Sequence, residues 1–226
     1  MLAREWRVFC ASWWREMRLR LRRPSELMQP LAFSVLVALL MALAVGPDTN
    51  ALKLIGPAAL FVAILLSAFL SLDRLFAGDL ADGSLDALLA SSAPLSFVLY
   101  GKALGFWLCQ GLSLLLALPV LMILLKLGTG LAGVLLAVLL PSSLCLCLLG
   151  LAAAALTVRL TQGAMLTLLL VMPLAIPVLI FGCGAIQAQA QGENPRDALI
   201  FLYALSIGYF TLTPPAAALA LRMSSD

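Results

Sequence analysis

Residues 131–158 read LAGVLLAVLLPSSLCLCLLGLAAAALTV, without a single charged side chain. A bilayer core about 30 Å thick is crossed by about 20 mainly apolar residues in helical form. This run exceeds that length and predicts a transmembrane helix. Working outward, comparable runs lie on both sides of it. Upstream are Leu31–Val45, extendable through Pro30 and stopped by Gly46-Pro47, then Pro57–Leu72 and Phe97–Leu125. Downstream are Gly163–Ile186 and Ala198–Leu221. Pro141, Pro173 and Pro177 predict kinks inside the later helices, which neighbouring helices can accommodate by re-satisfying the backbone.

Composition points the same way. Of 226 residues, 63% are hydrophobic and 11% charged, with a mean hydropathy of +1.10; soluble domains have about 45–50% apolar and about 25% charged residues. No polar stretch is long enough to build a second core, so residues 1–226 read as one membrane domain. Half of the 14 Lys and Arg residues precede Pro24. With the N-terminus inside, the cytoplasmic side receives those seven plus Arg74, Lys102, Arg159 and Arg222. The outside receives only Lys53, Lys126 and Arg196, so six spans with both termini cytoplasmic satisfy the positive-inside rule.

Several chemistries are excluded. The chain has no His, which removes Ser-His-Asp and Cys-His catalysis, HExxH zinc sites and His-ligated haem. It has no GxxxxGK[ST] loop, so any ATP is hydrolysed by another subunit. Cys10, Cys109, Cys145, Cys147 and Cys183 include no CxxC pair, and the last four read as small core hydrophobes. No metal or cofactor ligand set is legible, and no feature points to nucleic acid.

Residues 2–22 read as an amphipathic helix. Leu2, Trp6, Phe9, Cys10, Trp13 and Met17 share one arc, and Arg4, Arg7, Arg15, Arg18 and Arg22 the opposite one. Aromatic side chains opposed to Arg predict a helix lying in the membrane interface in contact with lipid, with Trp6, Phe9, Trp13, Arg7, Arg15 and Arg18 as its anchors. Packing on a partner protein is the competing reading. Arg20 falls on the apolar arc and ends the clean stripe near Leu19.

One polar connection is long enough to carry information, the cytoplasmic loop of residues 73–91 between the second and third spans. On one helix, Asp79, Asp82 and Asp86 share a face, and Leu80, Ala81, Leu85 and Leu88 take the other. Gly83-Ser84 offers an alternative, dividing the segment so that Ser84 caps a second turn with Asp86 near its positive end. An acidic face beside an anionic leaflet is better matched by a basic protein partner than by lipid. A plain solvated loop is the competing reading. No metal-ligand set accompanies the carboxylates, which argues against paired-carboxylate catalysis.

Three motifs then resemble one family. Leu72–Leu89, with Leu-Asp-Arg-Leu-Phe and Asp-Leu-x-Asp-Gly-Ser-Leu, is similar to CcmB, the haem exporter protein B of bacterial cytochrome c maturation. So are Met172–Phe181 and Thr211–Pro214 with the following Ala216–Arg222. The resemblance covers essentially the whole chain. It implies the non-catalytic membrane permease of an ABC transporter in the bacterial inner membrane. The implied partners are the ATPase CcmA, the membrane subunits CcmC and CcmD, and a functional link to CcmE; haem is the implied cargo, and ATP stays on the partner subunit. ATP hydrolysis would be transmitted to haem export or to release of haem-loaded CcmE. It also implies that the loop is a coupling helix, with Arg74, Phe76, Asp79, Leu80, Asp82, Leu85, Asp86 and Leu88 as its contact residues.

The expected fold is therefore an all-α membrane protein: an interfacial helix, six transmembrane helices, and a short cytoplasmic coupling helix between spans 2 and 3. A scaffold without a transport pathway and a secondary transporter are the competing functions. Charges inside a membrane usually mark ion pathways, and the middles of these spans have none, which argues against proton coupling. Gln110 is the most polar midspan side chain and is expected to make an interhelical hydrogen bond.

Overall fold

The computed structural model describes residues 2–22, 24–46, 48–72, 74–90, 94–160 and 163–223. Within these, nine α-helices follow one another: α1 (Leu2–Leu21), α2 (Pro24–Val45), α3 (Thr49–Leu72), α4 (Arg74–Ala81), α5 (Ser84–Ala90), α6 (Leu95–Leu124), α7 (Ala132–Thr157), α8 (Gly163–Ala190) and α9 (Arg196–Met223). No strand occurs among the described residues. Six helices, α2, α3, α6, α7, α8 and α9, are long and apolar enough to cross a membrane. Each coincides with an apolar run read from the sequence: α2 and α3 begin seven and eight residues before theirs, and α6 to α9 agree with theirs to within four residues at either end.

The run of residues 131–158 becomes the hub. α7 packs against α3, α6, α8 and α9, and its Leu146, Leu148 and Leu151 are fully buried. By contrast α8 and α9 turn broad faces outward, with Leu169, Ile176, Ile180, Ile207 and Leu212 each more than half exposed. Against hydrocarbon such faces need no cover, and the helices are held by packing and by a few polar contacts. Trp107 Nε1 donates to Ser143 Oγ at 3.0 Å between α6 and α7. Tyr209 donates to the Leu174 carbonyl at 3.2 Å between α9 and α8. Ser67 Oγ donates to the Pro30 carbonyl at 2.7 Å between α3 and α2.

Two expectations about midspan polarity have different outcomes. Cys109, Cys145 and Cys147 are buried, Cys183 is partly buried, and all are free thiols. Gln110, however, is buried without a hydrogen bond from either amide atom among the described residues, so the expected interhelical bond is absent there. Ser143 of α7 is engaged by Trp107 instead, and Ser142 of α7, also buried, is likewise without a partner among the described residues.

Charge sorts to the two ends of the bundle. Arg15, Lys102 and Arg159 gather around α4 and α5. Lys53, Lys126 and Gln189 line a cleft at the opposite helix ends. Lys102 and Arg159 thus share one end of the bundle, and Lys53 and Lys126 the other.

Candidate coupling site

The connection between the second and third spans is not one helix. α4 ends at Ala81, and α5 begins at Ser84. Gly83 between them has φ +73°, a left-handed conformation that costs an L side chain about 1–2 kcal/mol. Asp82 Oδ1 accepts the Ser84 amide at 2.9 Å, and Ser84 Oγ donates to Asp79 Oδ1 at 3.0 Å. Asp and Ser side chains that bond nearby backbone compete with helix, and here they stop one and start the next. This corrects the reading of Asp79, Asp82 and Asp86 as a single acidic face: Gly83 divides it and the three carboxylates have three different surroundings.

Asp79 turns inward. It forms an ion pair with Lys102 of α6 and accepts from Arg15 Nη2 of α1 at 3.1 Å. Lys102 also reaches Glu16 Oε2 of α1 at 3.3 Å, and Arg20 Nε donates to Glu16 Oε1 at 2.8 Å. Glu16, Arg20 and Lys102 are each less than a tenth exposed. Aromatic rings complete the shell. The Arg20 guanidinium lies 4.1 Å from the Phe106 ring centre, and Lys102 Nζ lies 5.2 Å from that of Phe76. Burial raises the Asp79 pKa, but the charges and hydrogen bonds of Lys102, with Arg15 and Ser84, more than offset it and hold the carboxyl below its ordinary value. Asp82, on the surface, is also lowered, by its hydrogen bonds with Ser84.

A desolvated ion network contributes little net stability, because taking charges from water costs about as much as their pairing returns. Removing one partner is what costs, since it leaves the others buried and less compensated. The network therefore fixes α1, α4 and α6 in one mutual position. A cavity of about 30 Å³ lies among Ser12, Glu16, Asp79, Ser84 and Lys102. It has room for a water or two and none for a substrate. Among the described residues no three His, Cys, Asp or Glu side chains are grouped to hold a metal ion.

α1 approaches α6 closely enough to make these contacts because of two glycines. A Cβ on Gly101 would stand 2.5 Å from the Phe9 carbonyl oxygen, and one on Gly105 would stand 2.9 Å from Glu16 Cβ. Gly101-Lys-Ala-Leu-Gly105 is thus a small-xxx-small seam on which α1 lies. Further along, Cys109 Sγ meets Met17 Sδ at 3.6 Å. Part of the arc expected to face lipid is spent on α6: Phe9, Trp13 and Met17 are half-buried, while Trp6 is 65% exposed and stacks on Phe9. Arg7 and Arg18 are exposed. Arg15 points instead to Asp79 and Ser84. Arg20, anomalous on the apolar arc, faces Glu16 in the protein interior.

The remaining coupling residues fall into two groups. Phe76 and Leu85 are buried and Leu88 is half-buried against the bundle. Leu80 is 39% exposed, and Asp82 and Asp86 are exposed. Asp86 pairs with Arg159 just after α7. Arg74 opens α4, and its side chain lies outside the described residues. Among the described residues, the outer surface of the connection is therefore Gly78, Leu80, Asp82, Gly83, Asp86 and Ala87.

Sequence reasoning missed Glu16, treated Lys102 only as a loop charge, and passed over the Gly101–Gly105 seam. Two signals were present. Glu16 stands four residues before the misplaced Arg20, and GKALG carries the small-xxx-small spacing.

Comparison with known proteins agrees over the full length. The family described as CcmB protein matches residues 7–224. Heme exporter protein B of Pseudomonas aeruginosa is 44% identical over 93% of this chain and 94% of its own. That of Paracoccus denitrificans is 43% identical over 93% and 96%, and that of Escherichia coli K12 is 39% identical over 97% and 98%. This multi-pass membrane protein belongs to the CcmB family.

Proposed function

We propose that the chain is the membrane permease of an ABC-type haem exporter in cytochrome c biogenesis, and that α4 and α5 receive the movement of a partner ATPase, CcmA. The observation that carries this reading is the ion network of Asp79, Lys102 and Glu16. A short helix that only joined two spans would not need a buried cation shared with two other helices. A helix that is pushed must pass the push on, and Asp79 ties α4 to the long helix α6 and to α1. Leu80 and Asp82 on the free surface are what an ATPase groove would meet. The absence of charge in the midspans favours energy input from outside the chain over ion coupling.

In this reading the end bearing α4, α5 and both termini faces the cytoplasm, in a bacterial inner membrane. α1 lies along that leaflet with Trp6 and Arg7 at the lipid surface. CcmC and CcmD join the complex through the apolar faces of the spans, and hydrolysis is spent on haem export or on release of haem-loaded CcmE.

The test is a set of variants assayed for copurified ATPase and for release of haem-loaded CcmE. Leu80→Asp should lose the ATPase while the membrane chain stays folded. Asp79→Asn should keep the ATPase bound and slow release, because docking is intact and transmission is not. Retention of the ATPase at full release rate in both variants would refute coupling through this element.

A further inference from the structure

At the end opposite α4 and α5, Lys53 of α3 and Lys126, just after α6, line one cleft of about 330 Å³ with Gly128, Gly130, Leu131 and Gln189. Three features set this cleft apart. Only three of the 14 Lys and Arg residues fall at this side by the count above, and two of them share it. A chain that keeps cations off one side yet places two in a single recess there is using them.

Neither lysine has an ion-pair partner among the described residues. The ion pairs among the described residues include neither Lys53 nor Lys126, and Asp48, the acid nearest Lys53 in sequence, is engaged with the Asn50 and Ala51 amides.

The backbone also bears a cost to place one of them. Lys126 has φ +50°, the one non-glycine residue with positive φ among those described. Gly or Asn would adopt it more readily. The turn buries Leu127 against Gly56, where a Cβ would stand 3.0 Å from Leu127 Cδ2, and leaves Lys126 exposed at the cleft. Gly128 and Gly130 add no side chains, so a ligand can approach the backbone there.

We propose that this cleft binds the anionic end of an amphiphile, holding its carboxylate or phosphate oxygens between Lys53 and Lys126 at the membrane surface. Two sources share that chemistry: the paired carboxylates of a porphyrin, which rests on the haem reading above, and the phosphate of an anionic lipid headgroup, which does not. Leu131 supplies an apolar wall for the rest of either molecule.

The purified chain in phosphatidylcholine nanodiscs, without any ATPase, separates them. In one arm protoporphyrin is titrated and followed by fluorescence anisotropy, beside its dimethyl ester. In the other, phosphatidylglycerol is doped in and the lipid retained is counted by native mass spectrometry. Lys53→Gln and Lys126→Gln should each weaken the probe that binds about threefold, and together about tenfold, as expected for exposed charge pairs. Arg196→Gln, at the same end but outside the cleft, should have no effect. Loss of porphyrin affinity both in the double variant and on esterification identifies the carboxylate source; loss of retained phosphatidylglycerol in the double variant identifies the lipid source. Binding of both probes unchanged in the double variant overturns the proposal. Because no ATPase is present, that failure would leave the coupling reading intact, and a failure of ATPase docking would leave this cleft intact.

Discussion

Lys102 is held by two carboxylates and an aromatic ring at once. It is buried between carboxylates of two other helices, and each carboxylate keeps an arginine of its own, Arg20 for Glu16 and Arg15 for Asp79. Lys102→Met therefore strands neither acid, and relief of the lysine's own desolvation offsets part of the two lost charge-assisted bonds, for a net cost of about 1–3 kcal/mol. Lys102→Glu would put a third carboxylate into the same dry space and should cost about 3–5 kcal/mol or prevent folding. Thermal unfolding in detergent checks the ranking, and equal losses would contradict it. Asp79 adds a pH signature. Its folded pKa lies below the ordinary carboxylate value, so its contribution is present above about pH 4 and is lost as pH falls through the lower folded value. The difference in unfolding midpoint between the native chain and Asp79→Asn should be constant from pH 8 to about 5 and shrink below about 4. A difference that grew on acidification would reverse the sign and refute the pairing. None of this was legible in the residues themselves. Glu16 and Lys102 lie 86 positions apart, and the misfit of Arg20 and the GKALG spacing hinted only that one arc of the first helix faced protein.

At the scale of elements, α1 and the α4–α5 pair were each read with the right extent and a partly wrong surface. Periodicity located the amphipathic helix because Trp, Phe and Arg alternate at 100° per residue, but an apolar arc looks the same to lipid and to a neighbouring helix. The seam at Gly101 and Gly105 decides between them. Gly101→Leu should push α1 off α6 and, for about 1–3 kcal/mol of overpacking, speed tryptic cleavage between Arg15 and Arg20 about tenfold. Cleavage at the native rate would mean that α1 does not depend on the seam. In the connection, Gly83 turned one acidic stripe into three separate roles. Of Leu80, Leu85 and Leu88, which the resemblance implied as contact residues, Leu85 is 1% exposed and packs inside the bundle instead of meeting a partner. Leu80 takes that role as the exposed leucine of the pair. Turn chemistry at Asp82, Gly83 and Ser84 held this information, and the divided alternative is the one found.

For the whole molecule, six spans were legible because length and apolarity alone decide membrane crossing, and the runs stand apart in the sequence. The order in which they pack was not, since near-uniform apolar helices such as α7 and α8 carry no face that marks a neighbour. The Lys and Arg distribution predicts that reporters fused at Asp226 report cytoplasm and those near Asp48 and Glu193 report periplasm; a periplasmic C-terminus would invert every assignment made here. In the proposed coupling, the exposed side of α4 and α5 meets the ATPase. A photo-crosslinking residue at position 82, in the complex assembled in membranes, tests it most directly. Docking there gives a covalent adduct between this chain and the ATPase, and none from the same residue at position 128 at the opposite end. An adduct absent at 82, with the ATPase still bound, would contradict it.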